Sequence, residues 1–313
     1  MAPDSLAERV LAGDLRALSR AASLLEYDRE SGRELLSDLF AQTGRAITIG
    51  ITGPPGAGKS TLVNALTRTL RAGDKTVAVL AVDPSSAFSR GAILGDRIRM
   101  QEHYADPGVF IRSMATRGQL GGLASATLDL ALLLDAAGWD IVLIETVGVG
   151  QDEIDIAGLA DVTVVALVPG QGDDIQAIKA GVMEVADVFA INKADLPGVE
   201  RLEQEIRFVQ SLSDKNRSAS PAPIRRVIAT EGQGIDELLS AALAIFEKKG
   251  RAGDRTGIWT ARIRERLRER LLSAAPDSAI MEQSIRVARR EIAPFAAVEN
   301  LIRLVLKEKG EQS

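Results

Sequence analysis

Seven short runs of β-forming residues, nearly all apolar from end to end, recur through the middle of this 313-residue chain. They are ITIGI (47–51), TVAVLAV (76–82), VFIRS (109–113), DIVLIE (140–145), DVTVVALV (161–168), DVFAIN (187–192) and RRVIA (225–229). A strand with one face in water alternates apolar and polar residues, whereas a run apolar throughout suits a strand buried on both faces. Stretches of helical period, such as STLVNALTRTLRAG and SATLDLALLLDAAG, lie between most of the runs. Strand and helix in alternation predict an α/β fold with a mostly parallel central sheet flanked by helices.

The two ends lack this alternation. In residues 1–45, Leu6, Val10, Leu11, Leu15, Leu18, Ala22 and Leu25 recur at three- and four-residue spacings, which predicts helix. The segment SLSDKNRSASPAPIRR (211–226) reads as a loop before the last strand, and KKGRAGDRTG (248–257) as a hinge. Beyond Ile258, Trp259, Ile263, Leu267 and Leu271 share one helical face, and further helices are predicted near 277–293 and 296–308.

Composition removes several function classes. The net charge of −5 and pI near 5.3 do not suit a nucleic-acid binder, whose electrostatic footprint is a basic domain. Arg262, Arg264, Arg266, Arg268 and Arg270 form a local basic stretch, but Glu265 and Glu269 interleave with it, as in a solvated, ion-paired helix. Without cysteine the chain has no disulfide, thiolate zinc site, iron–sulfur cluster or cysteine nucleophile. The lone histidine, His103 in RIRMQEHYAD, reads as a surface or core-edge residue. The start, MAPDSLAERV, reads as acidic helix without an apolar signal core, and every long apolar run is interrupted. The expectation is a cytoplasmic chain with no membrane contact.

The chemistry is carried by motifs at strand ends. Gly53, Pro54, Pro55, Gly56, Ala57, Gly58, Lys59, Ser60 and Thr61 fit the GxxxxGK[ST] phosphate loop between a predicted strand and helix. Glycines let backbone N–H groups turn inward around phosphate oxygens, and the helix dipole points at the same anion. Lys59 would bridge the β- and γ-phosphates and Ser60 would ligate Mg²⁺. Asn192-Lys193-Ala194-Asp195 follows the DVFAI run and matches NKxD. A carboxylate at Asp195 accepts from guanine N1–H and the 2-amino group; adenine would leave it unpaired, a penalty able to give about 10⁴-fold discrimination. Lys193 can lie along the base, Asn192 can tie its loop to the phosphate loop, and a backbone N–H at Ala229 or Thr230 would meet guanine O6.

Acids close two more runs. Glu145, followed by Thr146, Val147 and Gly148, stands where a carboxylate holds Mg²⁺ through water and a glycine N–H meets the γ-phosphate. Asp83 ends VLAVD, either as a metal-site acid or as a helix N-cap. Asp96, in Gly95-Asp96-Arg97, could supply a further outer-shell carboxylate. The polar loops 148–153 and 170–174 suit segments that order around the γ-phosphate, and no water-positioning group is assignable. Slow intrinsic hydrolysis, stimulated by a partner, is the expectation.

Together GPPGAGKST, AVDPSS, GDRIRM, ETVGVGQ, GQGDDIQAIKAG, NKAD and EGQGIDEL resemble the MeaB/ArgK-type GTPases, the methylmalonyl-CoA mutase-associated G proteins of the SIMIBI class. The resemblance spans nearly the whole chain. It implies a 1–45 N-terminal helical extension, a 46–248 P-loop G domain and a 249–313 C-terminal helical arm contributing to a homodimer. It implies bound GTP or GDP with Mg²⁺, and GTP-gated protection, cofactor loading and repair of an adenosylcobalamin-dependent acyl-CoA mutase. By matching position, Lys59, Ser60, Asp83, Asp96 and Glu145 become phosphate and magnesium residues. Residues 148–153 and 170–179 become switch segments, with Lys179 a candidate partner-responsive residue.

Three other readings stand beside it. A nickel-insertion GTPase shares the nucleotide core, but this chain has no cysteine and one histidine to hold nickel. A P-loop kinase has little need of NKAD, and no separate phospho-acceptor site is visible. A switch adaptor with incidental hydrolysis remains open, as does an arm whose apolar face caps its own subunit.

Overall fold

The structure is a computed structural model that describes residues 5–83, 101–115, 122–146, 159–170, 183–213, 221–249 and 255–310. By contact the chain divides into two compact units, Met1–Arg255 and Thr256–Ser313.

In the first unit, strands β1 (Ile47–Thr52), β2 (Val77–Asp83), β3 (Val109–Ala115), β4 (Ile141–Thr146), β5 (Val162–Leu167), β6 (Val188–Ile191) and β7 (Ile224–Arg226) form one sheet. Its order is β3-β2-β4-β1-β5-β6-β7, and every ladder is parallel. The helices are α1 (Leu6–Leu11), α2 (Leu15–Tyr27), α3 (Arg29–Leu39), α4 (Lys59–Ala72), α5 (Gly122–Ala136), α6 (Val199–Ser213) and α7 (Ile235–Lys249). Because successive strand residues point to opposite faces, each apolar run feeds two cores. Ile49, Ile51, Leu143, Val162 and Val164 pack with Leu62, Leu66 and Leu70 of α4 and Leu238 and Phe246 of α7. Leu80, Val82, Val142 and Ile144 meet Leu18 and Leu25 of α2, Leu36 and Leu39 of α3, and Leu130 and Leu134 of α5. Val165, Leu167, Phe189 and Ile191 pack against Val199, Leu202 and Ile206 around α6.

Residues 6–39 therefore form part of the wall over one sheet face. Ser5 opens α1 with a reciprocal capping box to Glu8, and Asp14 caps α2 through the amides of Arg16 and Ala17. Arg112 of β3 grips Glu26 of α2 with two bonds of 2.7 and 2.8 Å, both side chains mostly buried. The sheet's amino-terminal edge is pinned by carboxylates. Asp140, Asp161 and Asp187, each just before a strand, accept from Thr76 N just ahead of β2, Thr48 N of β1 and Thr163 N of β5, all at 2.9 Å. Asp135, at the end of α5, takes the amides of Gly44, Arg45 and Ala46 at 2.6, 2.9 and 2.8 Å, fixing where β1 begins.

Some boundaries differ from expectation. The last strand ends at Arg226, not Ala229: Ile228 pairs antiparallel with Gln233, and Gly232 and Gly234 at φ +75° and +74° fold residues 228–234 into a tight loop before α7. The predicted loop at 211–226 gives its first residues to α6 and its last three to β7.

The second unit is helical, with α8 (Arg255–Ala274), α9 (Asp277–Ala288) and α10 (Pro294–Gly310). The helix expected to reach 293 ends at 288, where Arg289 caps it and Arg290 turns to φ +60°. Ile263 and Leu267 of α8 are 62% and 58% exposed, and Phe295 of α10 is 76% exposed.

Candidate functional site

β1 leads to β2 across β4, while β4 leads to β5 across β1. The chain thus leaves these adjacent strands in opposite directions, and parallel α/β sheets open a ligand crevice beyond the carboxyl ends of strands at such a switch point. The phosphate loop begins there. Gly53, at φ +138°, sits where a Cβ would lie 2.1 Å from Ala166 O of β5, so only glycine lets the loop turn off β1 at this height. Pro54 and Ala57 are buried; Pro55 and Gly56 are exposed. Gly58, left-handed at φ +80°, starts α4, and a Cβ there would meet Asn192 Nδ2 at 2.5 Å.

Lys59 is 6% exposed, and its Nζ donates to Gly53 O at 2.7 Å and Pro54 O at 3.0 Å, holding the ammonium within the loop. Ser60 and the exposed Thr61 follow in the first turn of α4. Ser60 Oγ donates to Glu145 Oε1 at 2.5 Å across 85 residues of sequence. Glu145 is buried and paired in the ladder with Ile51, which is why the β4 carboxylate arrives beside the loop after β1. Ser60 and Glu145 are thus two hard oxygen donors at hydrogen-bond distance, a set that suits Mg²⁺. Asp83 is the last residue of β2 and is paired with Ala115 of β3, on the same carboxyl edge. Asp96, Gly148, the rest of 148–153, 171–179 and Lys179 lie outside the described residues.

The NKxD turn follows β6. Asn192, 2% exposed, donates from Nδ2 to Ala57 O at 2.9 Å, and its Oδ1 accepts from Lys193 N at 2.8 Å and Ala229 N at 3.2 Å. One amide side chain so joins the phosphate loop, its own turn and the loop after β7. Lys193 adopts φ +53°, unusual for a non-glycine residue, and its Nζ donates to Gly56 O at 3.1 Å. Asp195 and Thr230 are exposed at the same sheet edge, and Ala229 is buried.

Sequence reasoning missed three parts of this surround. The Lys193–Gly56 tie had no visible signal. Thr146 Oγ1 donates to Thr52 Oγ1 at 3.0 Å, a contact between strands 94 residues apart. His103 lies in a short 3-10 turn, Gln101–His103, and is only 7% exposed. Its Nε2 meets Asn64 Oδ1 of α4 at 2.8 Å, while Asn64 Nδ2 and Arg68 both donate to Glu102, and Arg71 grips Asp106 with bonds of 2.8 and 2.9 Å. Burial holds the imidazole below its usual range against the upward pull of Glu102. The Arg71 guanidinium and the Gly108 amide hold Asp106 below the usual carboxylate range.

Glycine-lined loop, helix N-terminus, buried lysine and NKxD turn on one edge of a parallel sheet define a P-loop GTPase. The family model "Methylmalonyl Co-A mutase-associated GTPase MeaB" matches residues 16–287, and the chain belongs to that family of GTPases. A putative GTPase of Pyrococcus abyssi is 44% identical over 316 residues, covering 97% of each chain. The mouse protein named methylmalonic aciduria type A homolog, mitochondrial, is 35% identical over 75% of this chain and 61% of its own. Among solved structures, one titled LAO/AO transport system kinase aligns with TM-score 0.68 and 26% identity over 96% of both chains. Among the described residues no helix is long and apolar enough to cross a membrane.

Proposed function

We propose that this GTPase assists an adenosylcobalamin-dependent acyl-CoA mutase, using GTP and its hydrolysis to gate protection, cofactor loading and repair. The observation that carries the proposal is the match to a family described as mutase-associated over residues 16–287. In this reading residues 53–61 cradle the phosphates, with Lys59 on the β- and γ-phosphates, and Ser60 and Glu145 hold Mg²⁺ with Asp83 and Asp96 as outer carboxylates. Bound there, the ion neutralises charge on the phosphate oxygens. Asp195 reads the guanine edge and Lys193 lies along the base. With the Ala229 amide engaged by Asn192, the contact to guanine O6 falls to Thr230. Gly148 meets the γ-phosphate, and 148–153 and 170–179 act as switches. The protein works in the cytoplasm as a homodimer joined by its 249–313 arm, with 1–45 and 46–248 as extension and G domain.

The chemistry asks for positioning rather than covalent catalysis, so hydrolysis by the free protein is slow. The test mixes the purified GTPase with purified adenosylcobalamin-dependent mutases, methylmalonyl-CoA mutase first. The expected result is a complex whose affinity differs between GDP and a non-hydrolysable GTP analogue, and GTP hydrolysis at least about ten times faster than alone. Lys59→Ala lowers hydrolysis about 100-fold or more. Absence of both complex and stimulation, with every such mutase tried, would remove the chaperone reading and leave the GTPase standing.

A further inference from the structure

β4 bears Glu145 near its end, and β1 ends where the loop leading to Ser60 begins, yet the backbone ladder joining the two strands stops short. Paired positions run from Ile47 with Ile141 to Ile51 with Glu145. Thr52 and Thr146 come next in both strands, and they are joined through side chains, Thr146 Oγ1 to Thr52 Oγ1 at 3.0 Å. Both residues are essentially out of water, 0% and 3% exposed. Strand alternation sends Glu145 to the α4 side, where it meets Ser60, and sends Thr146 to the opposite side, in line with Val142 and Ile144. The residues on that opposite side include the buried apolar Leu80, Val82, Val142 and Ile144. A hydroxyl buried there is unfavourable unless bonded, and a valine would fill the same volume without that requirement. Thr52 is still paired with Val165 of β5 and Thr146 with Val82 of β2. Between β1 and β4 themselves the register ends at Ile51 and Glu145, and the two hydroxyls add a directional link one residue beyond it.

We propose that the Thr52–Thr146 hydrogen bond is a positioning device for the metal site, fixing the separation between the strand end that bears the phosphate loop and the one that bears Glu145. Thr146 is a positioning residue; it acts through its neighbour Glu145, and Thr52 acts through the loop that starts at Gly53. The inference rests on the reading of Ser60 and Glu145 as magnesium residues. Loss of the link lets the carboxylate drift from the Ser60 hydroxyl, so it weakens the ion's grip more than that of the guanine turn, which is held separately by Asn192.

The test measures steady-state GTP hydrolysis against Mg²⁺ concentration, with GDP affinity in EDTA and melting temperature measured alongside, for wild type, Thr146→Val, Thr146→Ser, Thr52→Val and Glu145→Gln. Thr146→Val is expected to raise the Mg²⁺ concentration for half-maximal rate about fivefold or more, while GDP affinity in EDTA stays within about twofold. Thr146→Ser, which keeps the hydroxyl, returns the Mg²⁺ dependence to within about twofold of wild type. Thr52→Val reproduces Thr146→Val from the other strand, and serves in its place should Thr146→Val not fold. A lowered melting temperature with unmoved Mg²⁺ dependence in the valine variants, while Glu145→Gln does move it, would overturn the positioning role alone. Unmoved Mg²⁺ dependence in Glu145→Gln itself would overturn the metal reading and the inference with it.

Discussion

His103 is the one imidazole in the chain, and it is buried against Asn64, one turn along the helix that begins with Lys59 and Ser60. Burial is the largest influence on it and favours the neutral ring; Glu102 and Asp106 oppose this, and Arg68 reinforces it. With its pKa lowered in the folded chain, the unfolded chain takes up the proton first as pH falls. The ring's contribution to stability is therefore complete above about pH 6.5, the ordinary histidine value, and is lost below it. A single imidazole NMR signal titrating below that value is expected, with a melting temperature that declines from about pH 7 towards pH 5.5 less steeply in His103→Gln. A signal titrating at or above the ordinary value would contradict the burial argument. At this scale the sequence was legible where a motif fixes its own geometry. Gly53 and Gly58 had to be glycines, and the close approaches to Ala166 O and Asn192 Nδ2 are the reason. It was illegible where a side chain's meaning lies in a distant partner, as for Thr146 with Thr52 or His103 with Asn64, because nothing local distinguishes such residues from ordinary strand or turn residues.

The strands could be read because burial on both faces leaves a continuous apolar run, a signal that survives without knowledge of neighbours. The exception, β7, has β6 as its one strand partner among the described residues, and the apolar residues after Arg226 belong to the loop closed by Ile228 and Gln233. Helical period predicts helix over residues 1–45; Leu6–Leu11, Leu15–Tyr27 and Arg29–Leu39 are α-helical while residues 43–45 are not. The helices' place over the sheet depends on which faces α2 and α5 present to each other, which no spacing reveals. The aspartates heading three strands were visible as letters and not as pins. Asp135, at the end of α5 rather than at the head of a strand, is a fourth such anchor and the clearest. Replacing it with alanine withdraws the acceptor from three amides at the start of β1 and is expected to cost about 3 kcal/mol of stability, read as a lower urea midpoint. GTP affinity of the folded protein should change little, because Asp135 stands at the sheet edge opposite the phosphate loop. An unchanged midpoint would show that those amides find other acceptors.

Across the whole molecule, the phosphate loop, Glu145 and the NKxD turn converge because a parallel sheet delivers every strand's carboxyl end to one edge, and because the chain reverses its direction of travel between β1 and β4. The proposed dimer belongs to this scale as well. With Ile263 and Leu267 exposed, sedimentation at micromolar concentration should show a dimer that the pair Ile263→Asp and Leu267→Asp converts to monomer; a wild-type monomer throughout would exclude it. The central proposition is that the loop beginning at Gly53 and the carboxylate of Asp195 grip opposite ends of one guanine nucleotide. Calorimetric titration of GTP, ATP and xanthosine triphosphate into wild type and Asp195→Asn tests it most directly. Wild type should prefer GTP over ATP by about 100-fold or more, and Asp195→Asn should lose GTP and gain the xanthine nucleotide, whose 2-oxo group accepts from the new amide. Equal affinity of wild type for ATP and GTP, or unchanged GTP binding by Asp195→Asn, would contradict it.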